Sequence, residues 1–146
     1  MRRTPHHRAA LLSMLLLAAC ARQSSPEQQV RDTIAAGEQA AEARDAGALI
    51  DLVSERYSDD EGRDAKLLAQ YVRGYLLTHP SIHLVTRIES VEFPYRDLAR
   101  VRVTVGSLAR EDAAATLDLA ADVDELEIEL TREGDDWRVT RASRAD

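Results

Sequence analysis

The stretch ARVRVTV, residues 99–105, sets Ala99, Val101, Val103 and Val105 against Arg100, Arg102 and Thr104 in strict alternation. Side chains of a strand point to opposite faces with a period of two, so this is a strand with one dry face and one wet face. Such patterning belongs to antiparallel sheets covered on one side. On either side of it the alternation continues, but it slips. Ile82, Leu84 and Ile88 share one parity, and Val91 and Phe93 take the other. Downstream, after a loop of alanines and charges from about Gly106 to Ala115, Leu117, Leu119 and Val123 give way to Leu126, Ile128 and Leu130. A slip of one residue turns every side chain to the opposite face. A strand that keeps its apolar set buried must therefore insert a residue, which is a β-bulge. Bulges or sharp bends are expected near Glu89-Ser90 and near Asp124-Glu125. Turns at Pro94-Tyr95-Arg96-Asp97 and Glu133-Gly134-Asp135 separate the strands, and Trp137 with Val139 opens the last one.

The residues before this sheet read as helices. Ser25-Pro26-Glu27-Gln28 combines a capping serine, proline at the first helical position and glutamine in the capping-box place. That helix runs on through Val30, Ile34 and Ala41, with Gly37 weakening its middle, to a break at Arg44-Asp45-Ala46-Gly47. A second helix is expected to carry Ala48, Leu49, Leu52, Val53 and Tyr57, and an acidic loop follows from Ser58 to Gly62. A third presents Leu67, Leu68, Tyr71, Val72, Tyr75 and Leu76 as one apolar stripe and stops at His79-Pro80. The expected architecture is α+β, with three N-terminal helices packed on a bent four-stranded antiparallel sheet over residues 26–146.

That order, with Tyr57-Ser58-Asp59-Asp60 closing the second helix and Asp136-Trp137-Arg138-Val139 in the final strand, resembles the nuclear transport factor 2-like fold. The resemblance implies helices over the concave side of the sheet and a conical pocket, which is catalytic in some members and only binds or packs in others. Several isomerase-like members place a base aspartate just after the second helix. Asp59 or Asp60 matches that place, and Tyr57, Tyr71 or Tyr75 would supply a phenol, as in ketosteroid isomerase. Against this, Glu61-Gly62-Arg63-Asp64 keeps the segment charged and wet, whereas raising a carboxylate pKa needs an apolar site. Asp118, Asp122 and Asp124 alternate away from the leucines, so no second inward acid stands on the strands. The expectation is thus a non-catalytic binding or accessory domain. The alternative is an isomerase- or dehydratase-like enzyme using an acid after the second helix.

No metal or cofactor is expected. Asp59, Asp60, Glu61 and Asp64 offer hard oxygens, but their spacing misses the EF-hand pattern, and capping of the third helix by Asp60 or Asp64 accounts for them. His79 and His83 straddle Pro80 and cannot share a helix face. The three tyrosines read as core. Arg100, Arg102 and Arg138, with Glu127 and Glu129, are expected to form a polar outer sheet face of opposite charges, compatible with a monomer or a polar homodimer.

The N-terminus supplies an address. Arg2, Arg3 and Arg8 precede an apolar run from Ala9, in the charged, greasy, small-residue order of a secretory signal. The run is too short to span a bilayer, which takes roughly 20 apolar residues. Leu17-Ala18-Ala19-Cys20 holds the single cysteine of the chain and resembles the lipobox of bacterial lipoproteins. The resemblance implies cleavage of residues 1–19, lipid on Cys20 and a tether over residues 20–25. Ordinary cleavage after Ala21 is the competing reading. An aspartate after the cysteine retains such lipoproteins at the inner membrane. Ala21 is not that signal, which implies the outer membrane, facing the periplasm. Loss of three arginines takes the formal net charge from −7 to −10. So acidic a surface excludes nucleic acid as partner and leaves lipid on Cys20 as the membrane contact, with an unidentified periplasmic protein or small ligand as the remaining partner.

Overall fold

The computed structural model describes residues 24–108 and 121–145. Helix α1 (Pro26–Glu42), the short α2 (Ala46–Asp51) and α3 (Ala65–Thr78) precede strands β1 (Leu84–Tyr95), β2 (Leu98–Leu108), β3 (Ala121–Glu133) and β4 (Asp136–Arg144). The strands form one antiparallel sheet in the order β1-β2-β3-β4, as the alternation predicts. Leu117 and Leu119, expected to start the third strand, lie outside the described residues, as does Cys20.

Ser25 caps α1, its side chain accepting from the Gln28 amide at 3.2 Å. Gln28 does not close the capping box; its side chain donates to Asp32 at 2.8 Å instead. Asp45 and Asp64 cap α2 and α3 in the same way, accepting from Ala48 and Leu67 amides. The chain leaves α1 through Arg44 at φ 57°, where glycine is the usual occupant. The Arg44 guanidinium donates to the Leu76 carbonyl at 2.6 Å, which ties that reversal to the carbonyl end of α3.

The second helix is shorter than its spacing predicts. After Asp51 the backbone is taken up by β4: the Val139 amide donates to Leu52 O at 2.9 Å, the Ser54 amide to Val139 O at 2.9 Å and the Ser58 amide to Thr140 O at 3.1 Å. Val53 pairs with Val139 as an isolated parallel bridge. Carbonyls bonded across the sheet edge are unavailable for continuing a helix, and the segment shields an edge strand that would otherwise stay open.

Val30 and Ile34 of α1 pack on Ala99, Val101, Leu130 and Trp137, with Ile88, Val91, Ile128 and Val139 around them. The bulge expected near Glu89 is present. Ile88 pairs with Val103 and Ser90 with Arg102, so Glu89 is the extra residue that turns both Ile88 and Val91 inward. The bulge expected near Asp124 is absent, because β3 runs against β2 in unbroken register from Thr131 to Ala121. Val123 instead stays on the outer side, 62% exposed. The irregularity lies in β4: Glu129 pairs with Arg141 and Leu130 with Val139, which leaves Thr140 over. The outer face carries the expected charges, with Arg100 opposite Glu129 and Arg102 opposite Glu127.

Deleting Glu89 should throw Leu84, Thr86 and Ile88 onto the wet face and lower the urea midpoint more than Leu130→Ala, itself worth about 3 kcal/mol. Glu89→Ala keeps the residue count and should leave the midpoint nearly unchanged. Equal midpoints for the deletion and Glu89→Ala would contradict the bulge's role.

Candidate functional site

Between α1, the α2 segment and the concave face of the sheet lies an apolar cavity of about 310 Å³. Its floor is Val103, Val105, Leu126, Ile128 and Val139, and Ile34, Leu49, Leu52 and Val53 roof it. The cavity follows from curvature. The bulge at Glu89 bends the sheet, and α1 fills only its Val30–Ile34 end. Towards the Leu84 end α1 presents Gly37 and Ala41, too small to fill the space. One carboxylate stands on the wall. Glu38 accepts a hydrogen bond from the Thr86 hydroxyl.

Glu38 was not among the expected site residues. It lies four residues after the buried Ile34, so helical spacing does put an acid on the buried face of α1, but only the concave sheet opposite makes that a pocket wall.

The sequence-predicted acids lie elsewhere. Asp59 and Asp60 are absent from the cavity lining, as are Tyr57, Tyr71 and Tyr75. The Asp59 side chain is only 1% exposed, which corrects the expectation of a uniformly wet loop. The reason is local. The Arg63 side chain donates to Oδ2 at 2.7 Å and Tyr57 OH to the same oxygen at 3.1 Å, while the Arg63 and Glu61 amides reach Oδ1 at 2.9 and 3.1 Å. Gly62, at φ 77°, permits the turn. Burial pushes the Asp59 carboxyl upward, but these hydrogen bonds and the Arg63 charge outweigh it and hold the carboxyl below its ordinary value. Burial, then the bond and charge of Asp59, raise the Tyr57 phenol to about 12. A carboxylate with four donors and a lowered pKa is poorly suited to take a proton near neutrality.

Asp60 is exposed and pairs with Arg141 on β4. Glu61 pairs with Arg63, and among the described residues no group of three acids, histidines or cysteines is placed to hold a metal ion. His79 stacks on Tyr75 with centroids 3.8 Å apart. Of the tyrosines expected in the core only Tyr57 is buried. Tyr71 and Tyr75 are 53% and 41% exposed, because α3 packs against α2 and leaves their side of the helix open. A second cavity, of about 190 Å³, runs along Tyr71, Tyr75 and His79 and shares Ala41, Leu49 and Leu84 with the first.

No protein-family model matches the sequence, and no curated protein is similar to it. Solved structures are similar. A nuclear transport factor 2-like protein of unknown function from Shewanella oneidensis superposes with a TM-score of 0.64 at 14% identity, over 84% of this chain and 100% of the other. A candidate scytalone dehydratase from Novosphingobium aromaticivorans gives 0.65 at 11% identity, over 82% of this chain and 84% of that one. A Bdellovibrio bacteriovorus protein gives 0.63 at 15% identity; 81% of this chain matches only 40% of that longer chain. At such identities the likeness establishes the fold, which is nuclear transport factor 2-like.

A carboxyl whose pKa is depressed by folding contributes stability that is present above its unfolded value and lost as pH falls through the folded one. The wild type should therefore weaken as pH drops below the ordinary value of 3.8. Asp59→Asn should cost about 3 kcal/mol at pH 7, since it replaces the charged acceptor of four hydrogen bonds by an amide and leaves Arg63 only the exposed Glu61 as an ionic partner. Its stability should also fall less steeply in acid, as urea titrations at pH 7 and 3 will show.

Proposed function

We propose that this chain is a lipid-anchored, periplasm-facing lipoprotein whose domain binds an apolar ligand without transforming it. The observation that carries the binding half is the roughly 310 Å³ cavity, apolar on nearly every wall and separate from the acids that match the isomerase position. Concave apolar pockets with few polar groups are the usual form of small-molecule sites. Glu38 and Thr86 add one polar corner, suited to a ligand with a donor group at one end.

The address rests on Leu17-Ala18-Ala19-Cys20 behind a signal-like run, with Ala21 favouring the outer membrane. A tether of a few residues then leads to the helix cap at Ser25. The enzymatic alternative draws on the likeness to a candidate scytalone dehydratase. It would require Asp59 to leave Arg63 or Asp60 to leave Arg141, and either to reach a cavity it does not line.

Two measurements test the proposal. Mass spectrometry of the membrane fraction should find diacylglyceryl and acyl groups on a chain beginning at Cys20, and Cys20→Ala should abolish them; a lipid-free chain beginning at Arg22 would sink the anchor. Nile red should bind with a blue-shifted emission that Val105→Trp, which puts an indole into the cavity and leaves too little room for the dye, removes at unchanged thermal stability. Retained binding in that variant would move the site elsewhere.

A further inference from the structure

The end of the sheet at which α1 starts also carries the β1–β2 turn. Trp137 Nε1 donates to Gln29 Oε1, one turn into α1, at 3.2 Å. The Phe93 ring meets the Trp137 ring edge-on, with centroids 5.8 Å apart. Phe93 is thus two contacts from the first turn of α1. Beyond it the chain turns through Pro94, Tyr95 and Arg96, all exposed, with Tyr95 open over 74% of its surface. The other end of the molecule is different. There Glu42, at the close of α1, accepts from the Leu84 amide, about 35 Å along β1 from Tyr95.

We propose that the turn from Phe93 to Arg96 is a second membrane contact, seated in the headgroup region of the bilayer that holds Cys20. This rests on the lipid-anchored reading above. The chain between Cys20 and Ser25 reaches at most roughly 18 Å, so the first turn of α1 and everything packed beside it stay close to the lipid. Of the two ends of the sheet, the tether selects this one. Its tip presents what an interface takes up: a tyrosine with an apolar body and a polar end, a half-exposed phenylalanine, a proline and an arginine able to reach lipid phosphate. Asp97, and Asp135 and Asp136 in the β3–β4 turn at the same end, are exposed and acidic, so the surface that fits is zwitterionic rather than anionic. In this pose the cavity wall formed by Glu38, Ala41 and Leu84 lies at the end away from the bilayer.

Trp137 is the single tryptophan of the chain and sits directly behind Phe93, which makes it a built-in probe. The processed chain, purified from membranes, is reconstituted in phosphatidylcholine vesicles carrying bromine on the upper acyl chain. Side chains seated about 5–10 Å into the interface bring Trp137 within reach of the bromines, so its emission should fall about twofold relative to unbrominated vesicles. Tyr95→Ser should weaken the quenching and Phe93→Ser/Tyr95→Ser abolish it. Leu77→Ser, which removes an 80% exposed leucine from the last turns of α3, should leave it unchanged. Should the double variant fail to fold, Tyr95→Ser alone still decides. Emission equal in both vesicle types for the wild type, or quenching unaltered by Tyr95→Ser, overturns the contact. The mass of the vesicle-bound chain separates the two readings. Lipid on Cys20 with an unquenched Trp137 removes the turn contact and leaves the anchor standing, whereas a chain without lipid removes both.

Discussion

The uninterrupted alternation of β2 constrains everything around it. Its inward residues Ala99, Val101 and Val103 are at most 1% exposed, so each neighbour must match their parity or adjust its own count. β3 matches over eleven paired positions. β1 has its apolar residues out of phase and adjusts by inserting Glu89. The bend that follows makes the concave face on which α1 rests with Val30 and Ile34, and it leaves the space α1 does not fill. Core, curvature and cavity therefore share one cause, the cost of exposing a buried valine face.

Apart from the Glu38–Thr86 pair, polar chemistry and apolar space are kept apart. The most densely bonded carboxylate among the described residues, Asp59, serves a turn and not a pocket, with Arg63 and Tyr57 consuming its lone pairs. A similar arrangement recurs at Glu133, which accepts from the buried Ser54 hydroxyl at 2.6 Å and from Arg56 at 2.8 Å. The Ser54 bond and then the Arg56 bond hold the Glu133 carboxyl low. The Glu133 cluster fastens the segment after α2 to the end of β3, whereas the Asp59 cluster closes the turn within that segment. Buried polar groups satisfied in this way fix a conformation. A proton-transfer site would need the opposite, a carboxylate under-supplied with donors beside a reacting group.

Sequence by itself determined what depends on near neighbours. The dyad alternation of residues 99–105, the Ser25-Pro26 helix start, a cap at Asp60 or Asp64 and the break at Arg44 are legible, because each is decided by residues within a few positions. Tertiary structure decided what depends on a distant partner. The same parity slip that makes a bulge at Glu89 makes none at Asp124, since β3 lets Val123 face outward while its pairing to β2 holds. Helix α2 stops at Asp51 because Val139, far along the chain, claims the next backbone groups. Tyr71 and Tyr75 share a periodicity with Leu68 and Leu76, but only the position of α2 says which part of that stripe is covered. Glu38 stands on the cavity wall and Asp59 does not, for the same reason. A residue's chemistry follows from what surrounds it, and burial and hydrogen-bond partners are set by chain segments that no local pattern contains.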